Sequence, residues 1–215
     1  MGIIGVDLDN TMFTCKRSFS YMLMNKFQFL RSDDKLKYKE IDTNEAKKVH
    51  PIIKKFHKIL NPASYKAYPE AIVTINALYD QGYHIYIITS RPAISPIVSA
   101  TVAWLKENGV KFDKLIMGCN NKGEYAKQNK VSLIIDDFDK TCKSLDKRGI
   151  DSILFKGTLK SKKKFTINKK TPHITIMHSW NTIKEHIGEC ISKIGEVVEE
   201  TGRILVDQQN QSQEI

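Results

Sequence analysis

The four cysteines, Cys15, Cys119, Cys142 and Cys190, include no C-x-x-C pair and form no disulfide framework. Scatter of this kind points to a reducing, cytoplasmic setting. His50, His57, His173 and His178 show no ligand spacing beside a cysteine or carboxylate set, which argues against a zinc centre. No G-x-x-x-x-G-K-[ST] occurs, so a P-loop is absent. The longest apolar runs, at 85–88 and 131–135, are strand-length, far short of the roughly 20 residues that cross a bilayer. The start of the chain shows no basic segment leading into an apolar stretch and cleavage site, so no secretion signal is expected. Acids are missing from one place above all. From Lys156 to Lys170 the chain reads KGTLKSKKKFTINKK, seven lysines and no carboxylate, and this run carries most of the net charge of +10. It reads first as a solvated loop. Its second reading is a positive surface for phosphorylated ligands or nucleic acid, although only Phe165 and Ile167 interrupt the charges.

What is present is a globular chain of 215 residues, 41% hydrophobic, long enough for one sizeable core. Apolar runs recur at 2–6, 83–88, 114–117, 131–135 and 152–155. Between the later ones lie helix-compatible stretches at 69–81, 95–108, 122–129 and 139–148. Proline near the start and glycine past the end punctuate several of them. Strand alternating with helix predicts an α/β fold, a parallel Rossmann-like sheet flanked by helices. The rhythm breaks between Thr11 and Pro69, where no strand is predicted. Helices are expected at 18–30 and 43–60, as a small helical cap inserted after the first strand. The expected division is a core of residues 1–13 and 69–180 and a cap of 14–68. A C-terminal helix over 181–206 and a polar, disordered tail at 207–215 complete it. "HITIM", from His173, reads as one further short strand.

In an open parallel sheet ligands gather at the carboxyl ends of the strands. Strand one ends in Asp7, with Asp9 and Thr11 just beyond, and the run at 83–88 ends in Thr89, Ser90 and Arg91. Lys122 opens the helix after the third run, and the fourth ends in Asp136 and Asp137. Asp7 could attack phosphorus and form an aspartyl-phosphate, and Asp9 could protonate the leaving oxygen and later activate water. A Mg²⁺ ion would relieve the repulsion among these carboxylates and neutralise developing charge. Thr89 and Lys122 could hold phosphoryl oxygens, with Thr11, Ser90 and Arg91 as further candidates. For Arg91 a phosphate contact and an anchor for the following turn stand equal.

These residues, in this order, resemble the haloacid dehalogenase-like (HAD) phosphohydrolase superfamily. D-x-D-x-T matches Asp7 to Thr11, "IYIITS" supplies Thr89, "NNKGEYAK" supplies Lys122, and "LIIDD" supplies Asp136 and Asp137. The likeness runs from Gly2 to about Phe155. Within the superfamily, "AYPEAIVTINALYDQGYHIYIITSRP" and "VSLIIDDFDKTCKSL" look like the 5'(3')-deoxyribonucleotidase branch and its bacterial and phage relatives. The resemblance implies a Mg²⁺-dependent phosphomonoesterase acting on a small phosphorylated substrate, a nucleoside monophosphate. It implies Mg²⁺ held by Asp7, the main-chain carbonyl of Asp9 and one acid of the Asp136/Asp137 pair, with Asp137 favoured as the direct ligand. Asn10 stands where that branch often has glycine, and Asn121 precedes the lysine. Asparagine tolerates positive φ, so the turn should survive.

Phe13, Phe19, Tyr21, Phe27 and Phe29 cluster near the start of the cap, as its own core or as a platform for a nucleobase. A receiver domain would place its paired acids after the first strand, whereas here they come last. The rival substrate is another phosphoester, such as a nucleic-acid 3'-phosphate or a sugar phosphate. The rival class is a HAD-fold binding protein without catalysis. No membrane partner is expected, and the chain is read as either a monomer or a homodimer.

Overall fold

Runs that are apolar on both faces need cover on both sides, and a central sheet supplies it. The computed structural model describes residues 2–14, 38–43, 66–157 and 170–188. They contain a seven-stranded sheet with spatial order β3 (Lys39–Glu40), β6 (Lys114–Met117), β5 (His84–Ile88), β1 (Ile3–Val6), β7 (Val131–Asp136), β8 (Asp151–Phe155), β9 (Ile174–Met177). All neighbours are parallel except β3 and β6. β1 lies in the middle, Ile4 opposite Ile85 on one side and Leu133 on the other. Val6, Ile85, Ile87, Ile134, Ile135 and Leu154 are fully buried.

Among the described residues four helices connect the strands: α1 (Pro69–Asp80), α2 (Ser95–Glu107), α3 (Lys122–Gln128) and α4 (Asp139–Asp146). Proline opens the first turn of α1 and of α2, where its missing N–H costs nothing. After α1 the chain turns at Gly82, φ +89°. The amides of Gly82 and Tyr83 then reach back to the carbonyls of Tyr79 and Leu78, satisfying groups the helix end would otherwise leave open. α3 and α4 touch at Gly123. A Cβ there would lie 2.5 Å from Ser144 Oγ and 3.1 Å from its carbonyl oxygen. That close approach sets the position of the neighbouring Lys122.

The segment between Thr11 and Pro69 differs from expectation. Its described residues contain three two-residue strands, β2 (Phe13–Thr14), β3 and β4 (Lys66–Ala67). β2 pairs antiparallel with β4, apart from the main sheet. β3 joins that sheet as an antiparallel edge, Lys39 opposite Met117. Two residues carry no periodicity to read, and both β3 residues are charged and exposed, as suits a protected sheet edge. The helices expected at 18–30 and 43–60 lie outside the described residues, Thr43 apart. Of the lysine-rich stretch only Lys156, Gly157 and Lys170 are described.

The chain divides into two compact units, Met1–Trp180 and Asn181–Ile215. In the second, residues 181–188 are helical, and the rest of the expected C-terminal helix and tail lies outside the described residues. Among the described residues no helix is long and apolar enough to cross a membrane. In the first unit the strand order reverses at β1. The chain runs from β1 to β5 and β6 on one side, then returns to β7, β8 and β9 on the other. A crevice forms at the carboxyl ends where such a reversal occurs.

Candidate active site

Asp7 is the first residue past β1, and its amide donates to Ile135 O at 2.9 Å, which ties it to β7. Leu8, fully buried, separates it from Asp9. Asn10 then adopts φ +63°, a conformation asparagine accepts more readily than most residues. The amides of Thr11 and Met12 fold back onto Leu8 O at 3.3 and 3.0 Å. Trp180 Nε1 donates to Thr11 O at 2.9 Å and pins the turn from outside. The turn expected from D-x-D-x-T is present, with asparagine in the usual glycine's place.

Lys122, the first residue of α3, donates from Nζ to Asp7 Oδ1 at 2.5 Å and to Asp136 Oδ2 at 2.6 Å. All three side chains are buried, Lys122 to 5% exposure. Burial alone would lower the Lys122 ammonium, but the Asp136 and Asp7 carboxylates outweigh it and hold the group above its ordinary value. Asp136 Oδ1 accepts the Phe138 amide at 2.8 Å, so both its oxygens are engaged. Burial pushes Asp7 up to about 7, reinforced by Asp136 and Asp9 and opposed by Lys122. Burial likewise pushes Asp137 up to about 8, with Asp7 and Asp136 adding to it. One ammonium therefore faces three clustered carboxylates, and two of these hold their protons abnormally tightly.

A divalent cation suits this imbalance. Asp7, Asp136 and Asp137 each offer an oxygen, all within 4.8 Å of one another. Hard oxygen ligands are what Mg²⁺ prefers. Among the described residues the Asp137 carboxylate accepts no hydrogen bond, while both Asp136 oxygens do. Both raised acids bind protons more tightly folded than unfolded. Their contribution to stability is thus full below the ordinary carboxylate value of 3.8 and is lost as pH rises towards 7 to 8. Asp137→Asn removes one unpaired charge. In metal-free buffer at pH 8 the variant should melt a few degrees above wild type. Wild type at a hundredfold excess of Mg²⁺ over its Kd should gain about 2.7 kcal/mol, and the variant should not. Thermal melts with and without Mg²⁺ measure both.

The other strand ends contribute differently. Thr89, 1% exposed, accepts the Arg91 amide on Oγ1 at 3.2 Å. Its own O–H is left to donate. Ser90 gives its hydroxyl hydrogen to Cys119 O at 3.0 Å, clamping the end of β5 to the loop after β6. Thr11 Oγ1 makes a long 3.4 Å contact to Asp7 Oδ2. Arg91 turns its guanidinium onto Asp9, Nε to Oδ2 and Nη2 to Oδ1, both at 2.8 Å. Its Nη1 reaches Thr101 Oγ1 on α2 at 3.1 Å, and the Phe13 ring lies 5.2 Å away. Of the five clustered aromatics only Phe13 is described. It is buried against Trp104 with ring centroids 4.6 Å apart, as a core residue is.

Three supporting residues escaped the sequence pattern: Thr101, Trp180 and Phe138, which contributes its main-chain amide. Phe138 and Trp180 follow strand ends but carry no side-chain group that marks phosphate or metal chemistry, and Thr101 is an ordinary helical threonine with no motif around it. Lys156, the first of the lysine-rich run, reaches Asp137 O at 3.5 Å. His173 pairs with Asp151 at the surface. Among the described residues the three acids are the one group of ligand-bearing side chains close enough to hold a metal.

Comparison with solved structures gives the fold a family likeness. A haloacid dehalogenase-like family hydrolase from Xanthomonas campestris superposes with a TM-score of 0.53 at 10% identity, over 91% of this chain and 98% of that one. A predicted phosphatase from Clostridium acetobutylicum gives 0.52 at 15% identity, over 87% and 98%. A HAD phosphatase from Thermococcus onnurineus gives 0.51 at 14% identity, over 87% and 98%. No family model and no curated protein matches the sequence. The chain thus has the fold of HAD-superfamily hydrolases, an α/β sheet with one antiparallel edge.

Proposed function

We propose that this chain is a Mg²⁺-dependent phosphomonoesterase of the HAD type, acting on nucleoside monophosphates as a 5'(3')-deoxyribonucleotidase. The observation that carries the chemistry is Lys122 bridging Asp7 and Asp136, with the Asp137 carboxylate beside them and without a hydrogen bond among the described residues. The nucleotide assignment rests on the sequence motifs.

Asp7 Oδ1 is engaged by Lys122, so Oδ2, held among the described residues only by the long contact from Thr11, forms the bond to phosphorus. The ester P–O bond breaks, and the departing oxygen takes a proton from Asp9. Asp9 then removes a proton from water, which attacks the aspartyl-phosphate. The phosphorus–Asp7 bond breaks and inorganic phosphate leaves. Thr89 donates its O–H to a phosphoryl oxygen, and Lys122 balances the charge that builds up there. Mg²⁺ is assigned to Asp7, the Asp9 carbonyl and Asp137, and Asp136 orients Lys122 instead. Bound there, it supplies neutralising charge for the carboxylates and the transferring phosphoryl group. The two described cysteines, Cys119 and Cys142, are free and buried, which fits a reducing cytoplasmic location.

Lys156 beside Asp137 favours one second reading, a nucleic-acid 3'-phosphate drawn in by the lysine run. A hydrolysis panel of deoxy- and ribonucleotides, sugar phosphates and 3'-phosphorylated DNA, with and without Mg²⁺, tests both. Release of phosphate from free nucleotides only when Mg²⁺ is present is the expected result. A strong preference for the 3'-phosphorylated oligomer would replace the substrate. Retention of nucleic acid without turnover would replace the enzyme with a binding protein.

A further inference from the structure

We infer that Arg91 is a positioning residue that holds the Asp9 carboxylate for proton transfer, and is not a ligand of the substrate phosphate. The inference rests on the role proposed above for Asp9.

Asp9 lies past the end of β1, in a turn, with its side chain 25% exposed. Nothing in such a turn fixes a carboxylate's orientation by itself. Arg91 does so with a planar fork, one N–H to each oxygen at 2.8 Å, an arrangement that sets the plane of the acid as well as its position. The fork is itself fixed. Its third nitrogen is bonded to Thr101 on α2, and the Phe13 ring lies 5.2 Å from the guanidinium carbon, within cation–π range. The main chain of Arg91 is held too, its amide on Thr89 Oγ1 and its carbonyl accepting the Gly118 amide at 2.7 Å.

Swinging this side chain towards a phosphate would break both bonds to Asp9 and the bond to Thr101 together. Each Asp9 oxygen keeps a second lone pair while Arg91 occupies the first. The fork therefore leaves room for the proton that Asp9 must give and take. Arg91 also joins Thr89 to Asp9, so the phosphate-contacting residue and the acid move as one piece.

The leaving group distinguishes the two roles. An alkoxide leaving group needs the proton from Asp9, whereas p-nitrophenolate leaves without one. Arg91→Lys, Arg91→Ala and Thr101→Val would be compared with wild type, each checked for folding by thermal melt. Single-turnover release of the alcohol would be followed from a deoxynucleoside monophosphate and from p-nitrophenyl phosphate, with inorganic phosphate affinity measured by calorimetry. Both Arg91 variants should lose about 10²-fold or more in nucleoside release and less than about tenfold in the first-turnover release of p-nitrophenolate. Phosphate affinity should stay within about threefold of wild type. Thr101→Val, which leaves Arg91 in place but loosens it, should show the same selective loss at about a tenth of the size.

Equal losses on both substrates with weakened phosphate binding would make Arg91 a phosphate ligand and overturn the inference. So would an Arg91→Lys enzyme that keeps the alkyl rate, since a lysine cannot form the fork. A wild-type protein that turns over neither substrate would instead overturn the phosphatase reading, and the inference with it.

Discussion

Asp7→Asn is expected to abolish turnover, lowering kcat by about 10⁴-fold or more, the scale seen when a covalent nucleophile is removed. Asparagine keeps the shape of the side chain and an oxygen that can accept from Lys122, so the site should stay assembled. It removes only the oxygen that would bond to phosphorus. The folding readout should move in the opposite direction. Burial and the neighbouring acids push Asp7 up to about 7, so a neutral side chain relieves the metal-free protein near neutral pH. A variant at least as stable as wild type and catalytically silent is the predicted combination. Steady-state kinetics and a thermal melt on the same preparation test it. Turnover within tenfold of wild type would sink the covalent mechanism.

Lys122→Met should be the most destabilising single change at the site. Methionine matches the length of the lysine stem and removes only the ammonium. Asp7 and Asp136 would then lie side by side at 7% and 1% exposure without their shared counter-charge. Breaking a buried ion pair from one side costs about 3–5 kcal/mol. For a chain of this size that lowers Tm by roughly 6–20 °C. Mg²⁺ should recover part of the loss, because a divalent ion supplies positive charge to the same carboxylates. A metal-free melt unchanged from wild type would show that Lys122 does not hold the two acids together in solution.

Both variants act on residues visible in the sequence, and the reason is local. Asp7, Thr89 and Asp136 sit at or just past the ends of apolar runs whose strand character depends on a few neighbouring residues. Lys122 follows a short strand and a capping asparagine, Asn121, whose side chain accepts the Glu124 amide. Helix boundaries were legible for the same reason. Proline and glycine act on their own backbone, and the observed α1 to α4 begin at the predicted residues and end one or two residues short of the predicted ends. The two-residue strands were not legible. Lys39 and Glu40 carry no β pattern, and only the open edge of β6 makes them a strand.

The same division runs through the candidate site. Ser90 and Arg91 occupy the strand end that phosphate-binding residues would occupy, yet the Ser90 hydroxyl goes to Cys119 and the Arg91 fork goes to Asp9. Sequence pattern alone could not choose between an anchor and a ligand, because both need a polar residue in that place.

By itself the sequence determined the order of the longer strands and of the helices between them, and the acids, hydroxyls and lysine that stand at their ends, since each of these follows from short-range periodicity and punctuation. The tertiary structure decided the partners. Arg91 meets Asp9 across 82 residues and Lys122 meets Asp7 across 115. Among the described residues the Asp137 carboxylate accepts no hydrogen bond, while that of the adjacent Asp136 accepts two. Which charge neutralises which depends on distances in the folded crevice, and no local pattern encodes them.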